Sequence, residues 1–491
     1  MNLLKKYPFF LLLFSLFFFL HGWAENYSSI SFSEAFLVGL SVFVVNIILF
    51  VIFYFFTRKI LYAALITFFV IVWYFFFGAI HDFIKSTILL YPIKRYSVFL
   101  PLVLLATIFW IIYLKKRERH WQKFSLYLNM LFITFCLIDL LKLGYNAAAK
   151  SKTVHTIKFN YAAVRSKPDV FLLLFDEYPS YKSLKDSFGF ENKEMENFLT
   201  KNSFKSLPIH SNYELTVFSM AAMFNMNYVA NGYNPNAVSQ KDEQQRFNEI
   251  KNGEVFNIFK KMGYKIENNS IFDIQNAPGV SGENSFLLGH GFLLTDKIFL
   301  NRLNKDVGWS FPLWLVKLLP FLRHQTEYSH RDDNLITEKK ALSLPDKSSK
   351  SPIFLYTHLL LPHGPYYYDS AGTEIPFQVF NQPNSWNNRQ NFISYLKYTN
   401  KIAERLITKI QSTKPHAIII FMSDHGFRFY NDEKTFQEAF FENMCYINFP
   451  DKNYGSFSQP ITNVNFFSYL FNNQFGQEIR YLKDTSLAVF Y

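Results

Sequence analysis

Two rhythms of apolar and polar residues divide this chain near residue 145. Before that point the apolar residues come in long runs without a polar face, near 8–24, 36–56, 60–80, 97–114 and 124–141. Each run is about as long as a bilayer-crossing helix requires, and "ILYAALITFFVIVWYFFFGAI" (60–80) carries no charge. After it, short apolar runs alternate with longer mixed segments. "DVFLLLF" (169–175), "PIFLYTHLL" (352–360), "AIIIFM" (417–422) and "ENMCYINF" (442–449) read as buried strands. Residues 181–201, 390–411 and Asn463–Leu470 read as helices. Strands alternating with helices predict a mostly parallel sheet covered by helices on both faces.

The expected architecture is therefore a bundle of about five transmembrane helices (1–143), a linker (144–168) and an α/β domain (169–491). Residues 230–252 and 275–350 are less regular and read as insertions or a substrate-capping region. Composition agrees: half of the residues are hydrophobic and a fifth aromatic, more than one soluble domain needs. Lys5, Lys6, Arg58, Lys59 and "KKRERHWQK" (115–123) fall in loops that are all cytoplasmic if the N-terminus is inside. Lys85, Lys94 and Arg95 run against this pattern. The domain after the fifth span is then exported from the cytoplasmic membrane. The first segment also resembles a signal peptide, with Gly22-Trp23-Ala24 as its cleavage site. Cleavage would leave the domain on the same side; the reading taken is an uncleaved helix.

Cys136 lies in the last span and Cys445 in the exported domain, so no intrachain disulfide is expected. A net charge of +12 suits work near anionic headgroups, and serves topology and solubility equally well. No basic helix or basic–aromatic motif suggests nucleic acid, and no obligate protein partner is evident.

In open α/β sheets, ligands bind beyond the carboxyl ends of the strands. There "DVFLLLF" leads into Asp176-Glu177, "PIFLYTHLL" into Pro362-His363-Gly364-Pro365, and "AIIIFM" into Ser423-Asp424-His425-Gly426. Carboxylates and imidazoles on one rim suit a divalent ion: zinc or manganese first, magnesium or calcium as alternatives. Taken singly, an Asp after a strand is more often a cap or turn former, and a rim His more often solvated. Three strand ends with the same chemistry outweigh that. A nucleophile is expected near a helix start, and "SNYELTVFSMAAMFNMNYV" (211–229) offers Thr216. A hydroxyl beside a divalent ion can be deprotonated at neutral pH and attack phosphorus. On residue type alone Thr216 is more often a plain N-cap.

In order, "DVFLLLFDE", "TVFSMAAMF", "HLLLPHGPYYY" and "SDHG" resemble the alkaline phosphatase/sulfatase superfamily. The nearest branch is that of membrane phosphoethanolamine transferases and lipoteichoic acid synthases, which carry five membrane helices and an exported α/β domain. The resemblance implies that Thr216 is the nucleophile, carrying the phosphoryl group covalently and touching the metal. It also implies metal ligation by Asp176, Glu177, Asp424 and His425, and substrate contact by His363. His358 reads as a strand residue, not a ligand. Arg428 is a candidate anion contact.

Two departures bear on function. Ser219 begins "SMAAM", with Met223 where a formylglycine sulfatase would need Arg, so that chemistry is disfavoured. No histidine follows His425, which speaks against a second metal. The leading expectation is a metal-dependent transferase that takes a phosphoryl unit from a membrane lipid headgroup to an envelope glycan or lipid. The alternatives are a phosphodiesterase- or sulfatase-type hydrolase and a non-catalytic membrane scaffold.

Overall fold

The computed structural model describes residues 2–27, 30, 32–87, 92–149, 157–229, 232–280, 292–295, 297–307, 329–343, 349–380, 382, 385, 388–428, 438–455 and 461–490. The chain forms two compact units, Met1–Thr153 with Gly282–Glu327, and Val154–Ser281 with Tyr328–Tyr491.

The first unit is helical. Its helices are Phe10–Glu25, Phe32–Thr57, Ile60–Ser86, Tyr96–Lys116 and Trp121–Ala149. The last four are long and apolar enough to cross a membrane. The first has 16 residues, so one of the five expected spans falls short of that length by itself. Such helices satisfy their backbone polar groups internally, which a bilayer core demands. Phe14 packs against Phe68, Phe75 and Phe132 in the bundle's centre.

Phe292–Thr295 and Phe299–Val307, expected within an insertion or capping region, pack in this helical unit. Gly78 donates its backbone N–H to the Lys297 carbonyl at 2.7 Å, and a Cβ there would sit 2.8 Å from Lys297 Cα. Arg302 bridges Asp82 (2.5 Å) and Asp306 (3.1 Å).

The second unit is built on β1 (Val170–Phe175), β2 (Lys205–Ser206), β3 (Ile209–His210), β4 (Lys265–Asn269), β5 (Ile353–Leu359), β6 (Ile418–Ser423), β7 (Cys445–Asn448) and β8 (Ile461–Thr462). Six strands form one sheet in the order β2-β7-β6-β1-β5-β4, while β3 and β8 pair separately. The four strands β6, β1, β5 and β4 run parallel; β7 is antiparallel to β6, and β2 to β7. All of β1 is buried, because Val170, Leu172 and Leu174 enter one core cluster while Phe171, Leu173 and Phe175 enter another. That is why its sequence is a continuous apolar run and not an alternating one.

Register positions the site. Phe175 stands beside both Leu359 and Ser423, so β5, β1 and β6 end level. The next residues, Asp176 and Asp424, therefore emerge side by side.

The helix expected over 181–201 is two, Tyr181–Phe188 and Lys193–Lys201. Gly189, at φ +61°, closes the first as a left-handed C-cap. A helix unforeseen in 230–252, Gln240–Lys251, is started by a Ser239/Asp242 capping box. Of the expected linker, 150–156 lies outside the described residues, as do parts of 275–350.

Candidate active site

Asp176 and Asp424 enter from the ends of β1 and β6, and His425 follows at once. The turn after β6 needs glycine at 426, since a Cβ there would lie 2.1 Å from the Ala439 carbonyl oxygen. Potential ligand atoms of Asp176, Asp424 and His425 all lie within 4.8 Å of one another, and all three residues are buried.

The protonation pattern follows from hydrogen bonding. His425 Nδ1–H donates to the Gly426 carbonyl at 2.7 Å, leaving a lone pair on Nε2. That nitrogen lies 3.2 Å from Asp424 Oδ2 and 3.6 Å from Asp176 Oδ1. Asp424 Oδ1 accepts the Glu177 backbone N–H at 3.1 Å, but Oδ2 is buried without a hydrogen-bond partner among the described residues. Burial pushes the Asp176 carboxyl well above the usual carboxylate range, helped by the charges of Asp424 and Glu177. Burial also acts upward on Asp424, but His425, His358 and the Glu177 N–H together hold it below its ordinary value. An orphaned carboxylate oxygen facing an imidazole lone pair and a second acid is a donor set that a divalent cation completes. Asp176, Asp424 and His425 fit the metal that sulfatase-family proteins require.

Thr216 joins this cluster. It is the first residue of the helix Thr216–Asn225, and the N-cap is Leu215, so the hydroxyl is not spent on capping. Its Oγ1 lies 3.1 Å from His425 Nε2 and 3.4 Å from Asp176 Oδ1. Being at the helix N-terminus, it sits in the positive end of the helix dipole, which favours an anion. Ser219, one turn later, is buried and donates to the Asp424 carbonyl at 2.7 Å.

Glu177 is not part of the cluster. Its backbone takes φ +62°, and its carboxylate engages Arg428. Glu177 Oε1 accepts the backbone N–H and the Nε–H of Arg428, each at 3.1 Å. Arg428, expected as an anion contact, is thereby an ion-pair partner, and its Nη2 also lies 3.5 Å from His363 Nε2. His363 is half-buried on the same rim, its Nδ1–H donating to the Gly364 carbonyl at 2.6 Å. His358 lies inside β5 with Nδ1 2.8 Å from the Tyr356 hydroxyl, outside the cluster.

Three contributors had no sequence signal. His330, in the helix Ser329–Ser343, packs edge-on against His363 with ring centroids 6.1 Å apart. Asn463 Nδ2 donates to the Asp424 carbonyl at 2.7 Å and to Ser219 Oγ at 3.0 Å, from beneath the cluster. Glu214, two residues before Thr216, is a buried carboxylate that accepts the Val489 backbone N–H. Asn463 begins a predicted helix and Glu214 lies just before Thr216, but only the fold shows what each of the three touches.

Residues 183–471, more than half of the chain, match the sequence profile of the sulfatase family. No curated protein matches. Among solved structures, the C-terminal periplasmic domain of EcEptC from Escherichia coli is 13% identical, over 68% of this chain and 89% of that one, at TM-score 0.39. The corresponding domain of the phosphoethanolamine transferase EptC from Campylobacter jejuni is 14% identical, over 62% and 89%, at TM-score 0.35. The phosphonate monoester hydrolase SpPMH from Silicibacter pomeroyi is 13% identical, over 65% and 76%, at TM-score 0.41. With its parallel sheet, its buried Asp–Asp–His cluster and its profile match, the chain belongs to the sulfatase family and is an enzyme of the alkaline phosphatase/sulfatase superfamily.

Proposed function

We propose that this enzyme is a phosphoryl transferase of the cytoplasmic membrane, working on its exported side through a covalent phospho-Thr216. The observation that carries this reading is the Thr216 hydroxyl, 3.1 Å from His425 Nε2 and 3.4 Å from Asp176 at the start of a buried helix. Ser219, the other hydroxyl of that helix turn, is held by its bond to the Asp424 carbonyl and faces away from this work.

Asp176, Asp424 and His425 would hold a divalent ion, zinc or manganese, with Thr216 at its edge. When bound, the ion would lower the pKa of the Thr216 hydroxyl and offset charge on the phosphoryl oxygens. Thr216 Oγ1 attacks phosphorus, the ester bond to the leaving oxygen breaks, and that oxygen takes up the equivalent of the proton Thr216 gave up. An acceptor hydroxyl then attacks the phosphothreonine and restores Thr216. His363 and Arg428 sit on the rim where the phosphoryl oxygens or the acceptor would pass. A membrane lipid headgroup is the proposed donor, since helices long and apolar enough to cross a membrane would tether the enzyme to its lipids. An envelope glycan or lipid is the proposed acceptor.

The test is intact mass of the full chain in nanodiscs of phosphatidylethanolamine and phosphatidylglycerol, beside Thr216→Ala, with metal analysis of both. An adduct on the wild type alone is expected, and its mass names the headgroup. Bound metal with headgroup release but no adduct would favour direct hydrolysis and overturn the covalent reading.

A further inference from the structure

The loop that delivers Thr216 is tied down by a stretch far away in sequence. Residues 484–490 have no regular secondary structure, yet they run along residues 211–214 and bond to each of Ser211, Asn212 and Glu214. Ser486 Oγ donates to the Ser211 carbonyl at 2.7 Å, and the Leu487 N–H donates to the Asn212 carbonyl at 2.8 Å. Asn212 Nδ2 returns a bond to the Thr485 carbonyl at 2.9 Å, while its Oδ1 accepts the Val464 N–H at 2.7 Å. Glu214 Oε1 accepts the Val489 N–H at 2.6 Å. The strap is itself anchored: Asp484 Oδ1 accepts from the Thr462 N–H, the Thr462 hydroxyl and Asn465 Nδ2, all within 2.8 Å.

Burial makes the Glu214–Val489 bond more than decoration. Glu214 is 4% exposed and Val489 1%. A buried carboxylate is costly, and here its second oxygen, Oε2, has no partner among the described residues. Holding a loop does not require an acid at this position, because an amide or hydroxyl would bond Val489 at lower cost. A short bond, buried at both ends and two residues before the nucleophile, is what resists rotation of that loop.

We propose that Glu214 and the 484–490 strap are positioning elements that fix Thr216 against the Asp176–Asp424–His425 cluster. This rests on Thr216 being the nucleophile. A displacement of about 1 Å at a reacting atom lowers turnover by up to about a hundredfold, so loosening the loop acts on rate before it acts on binding.

The test breaks one bond from both ends, in the full chain: Glu214→Ala removes the acceptor, and Val489→Pro removes the donor. Glu214→Gln, which keeps an acceptor oxygen, is the rescue. Amide hydrogen exchange and phosphothreonine formation in phosphatidylethanolamine nanodiscs are read on each. Expected are roughly tenfold faster exchange at 211–216 and at least roughly tenfold slower adduct formation in both breaking variants. Exchange in 170–175 and 418–423 should be unchanged, and Glu214→Gln should stay within about threefold of wild type. Unchanged exchange at 211–216, or faster exchange with an unaltered adduct rate, overturns the proposal. If the wild type forms no adduct, the nucleophile assignment fails, and exchange alone still decides whether the strap holds the loop.

Discussion

Glu177 and Arg428 are joined twice through one atom: Glu177 Oε1 accepts both the backbone N–H and the Nε–H of Arg428, each at 3.1 Å. The Glu177 side chain is 1% exposed and that of Arg428 21%, so a buried carboxylate meets a half-buried guanidinium. A guanidinium this close to the Asp–Asp–His cluster repels a dication and occupies a carboxylate that could serve one. Arg428→Met is therefore expected to raise zinc affinity by about tenfold, equivalent to about 1.4 kcal/mol. It should also lower the stability of the metal-free chain, because Glu177 is left buried without its cation. Isothermal titration of chelator-treated protein, with thermal unfolding on the same samples, checks both. Weaker zinc binding in the variant would mean that Arg428 supports the cluster and does not oppose it.

Asn463 supports the cluster from below. Its amide spans Ser219 Oγ, the Asp424 carbonyl and Asn443 Nδ2, and it is fully buried. Asn463→Ala removes three buried hydrogen bonds at once, at an expected cost of about 2–3 kcal/mol. Ser219→Ala, which removes one hydroxyl while Asn463 still serves the same carbonyl, should cost only about 1 kcal/mol. Urea midpoints at constant m-value measure the difference. Equal losses in the two variants would show that the network does not divide this way.

The contrast between these residues and the Asp176–Asp424–His425 cluster shows what the sequence could reveal. β1, β5 and β6 are buried on both faces, so each prints a continuous apolar run, and the polar residue that ends it is conspicuous. Asp176, Asp424 and His425 were legible for that reason. Thr216 was legible as a hydroxyl at a helix start, but its freedom from capping was not, since Leu215 holds the cap position. The pairing of Glu177 with Arg428 was not legible, since its positive φ leaves no mark on a non-glycine residue. His330, Asn463 and Glu214 reach the site through long-range packing, and nothing local in sequence encodes that. The Ser239/Asp242 capping box and Gly189 are local signals carried by residue type alone.

Two imidazoles, His358 buried in β5 and His330 half-buried, set an acid limit on the fold. Burial, with His363 close by, lowers His330 from 6.5 to about 4. Burial also lowers His358 to about 4, with His425 adding to the shift and Asp424 opposing it. Between those values the unfolded chain binds protons that the folded chain refuses. This contribution to stability is complete above pH 6.5 and is lost as the pH falls toward 4. At its steepest the slope from both groups approaches about 2.7 kcal/mol per pH unit. Unfolding free energies of the metal-free chain from pH 7 to 4.5 should show this fall, and His330→Gln should remove roughly half of it. A slope unchanged in that variant would assign the acid limit elsewhere.

Removing the metal and removing a ligand should have opposite effects on the metal-free protein. In the wild type, a saturating divalent ion at about a hundredfold above its Kd stabilises by about 2.7 kcal/mol, so chelation should lower the melting temperature. Asp424→Asn should abolish that response, because the donor set loses a charge. Yet its metal-free form should melt above metal-free wild type. The retained oxygen still accepts the Glu177 N–H, found at 3.1 Å. The new amide nitrogen would point from the place of Oδ2 to His425 Nε2, 3.2 Å away, and donate to its lone pair. Repulsion with Asp176, part of what pushes that carboxyl upward, would also vanish. Differential scanning calorimetry of both proteins with zinc and with chelator gives the four temperatures needed. If metal-free Asp424→Asn melts below metal-free wild type, the three acceptors are not in conflict, and the case for a cation between them falls.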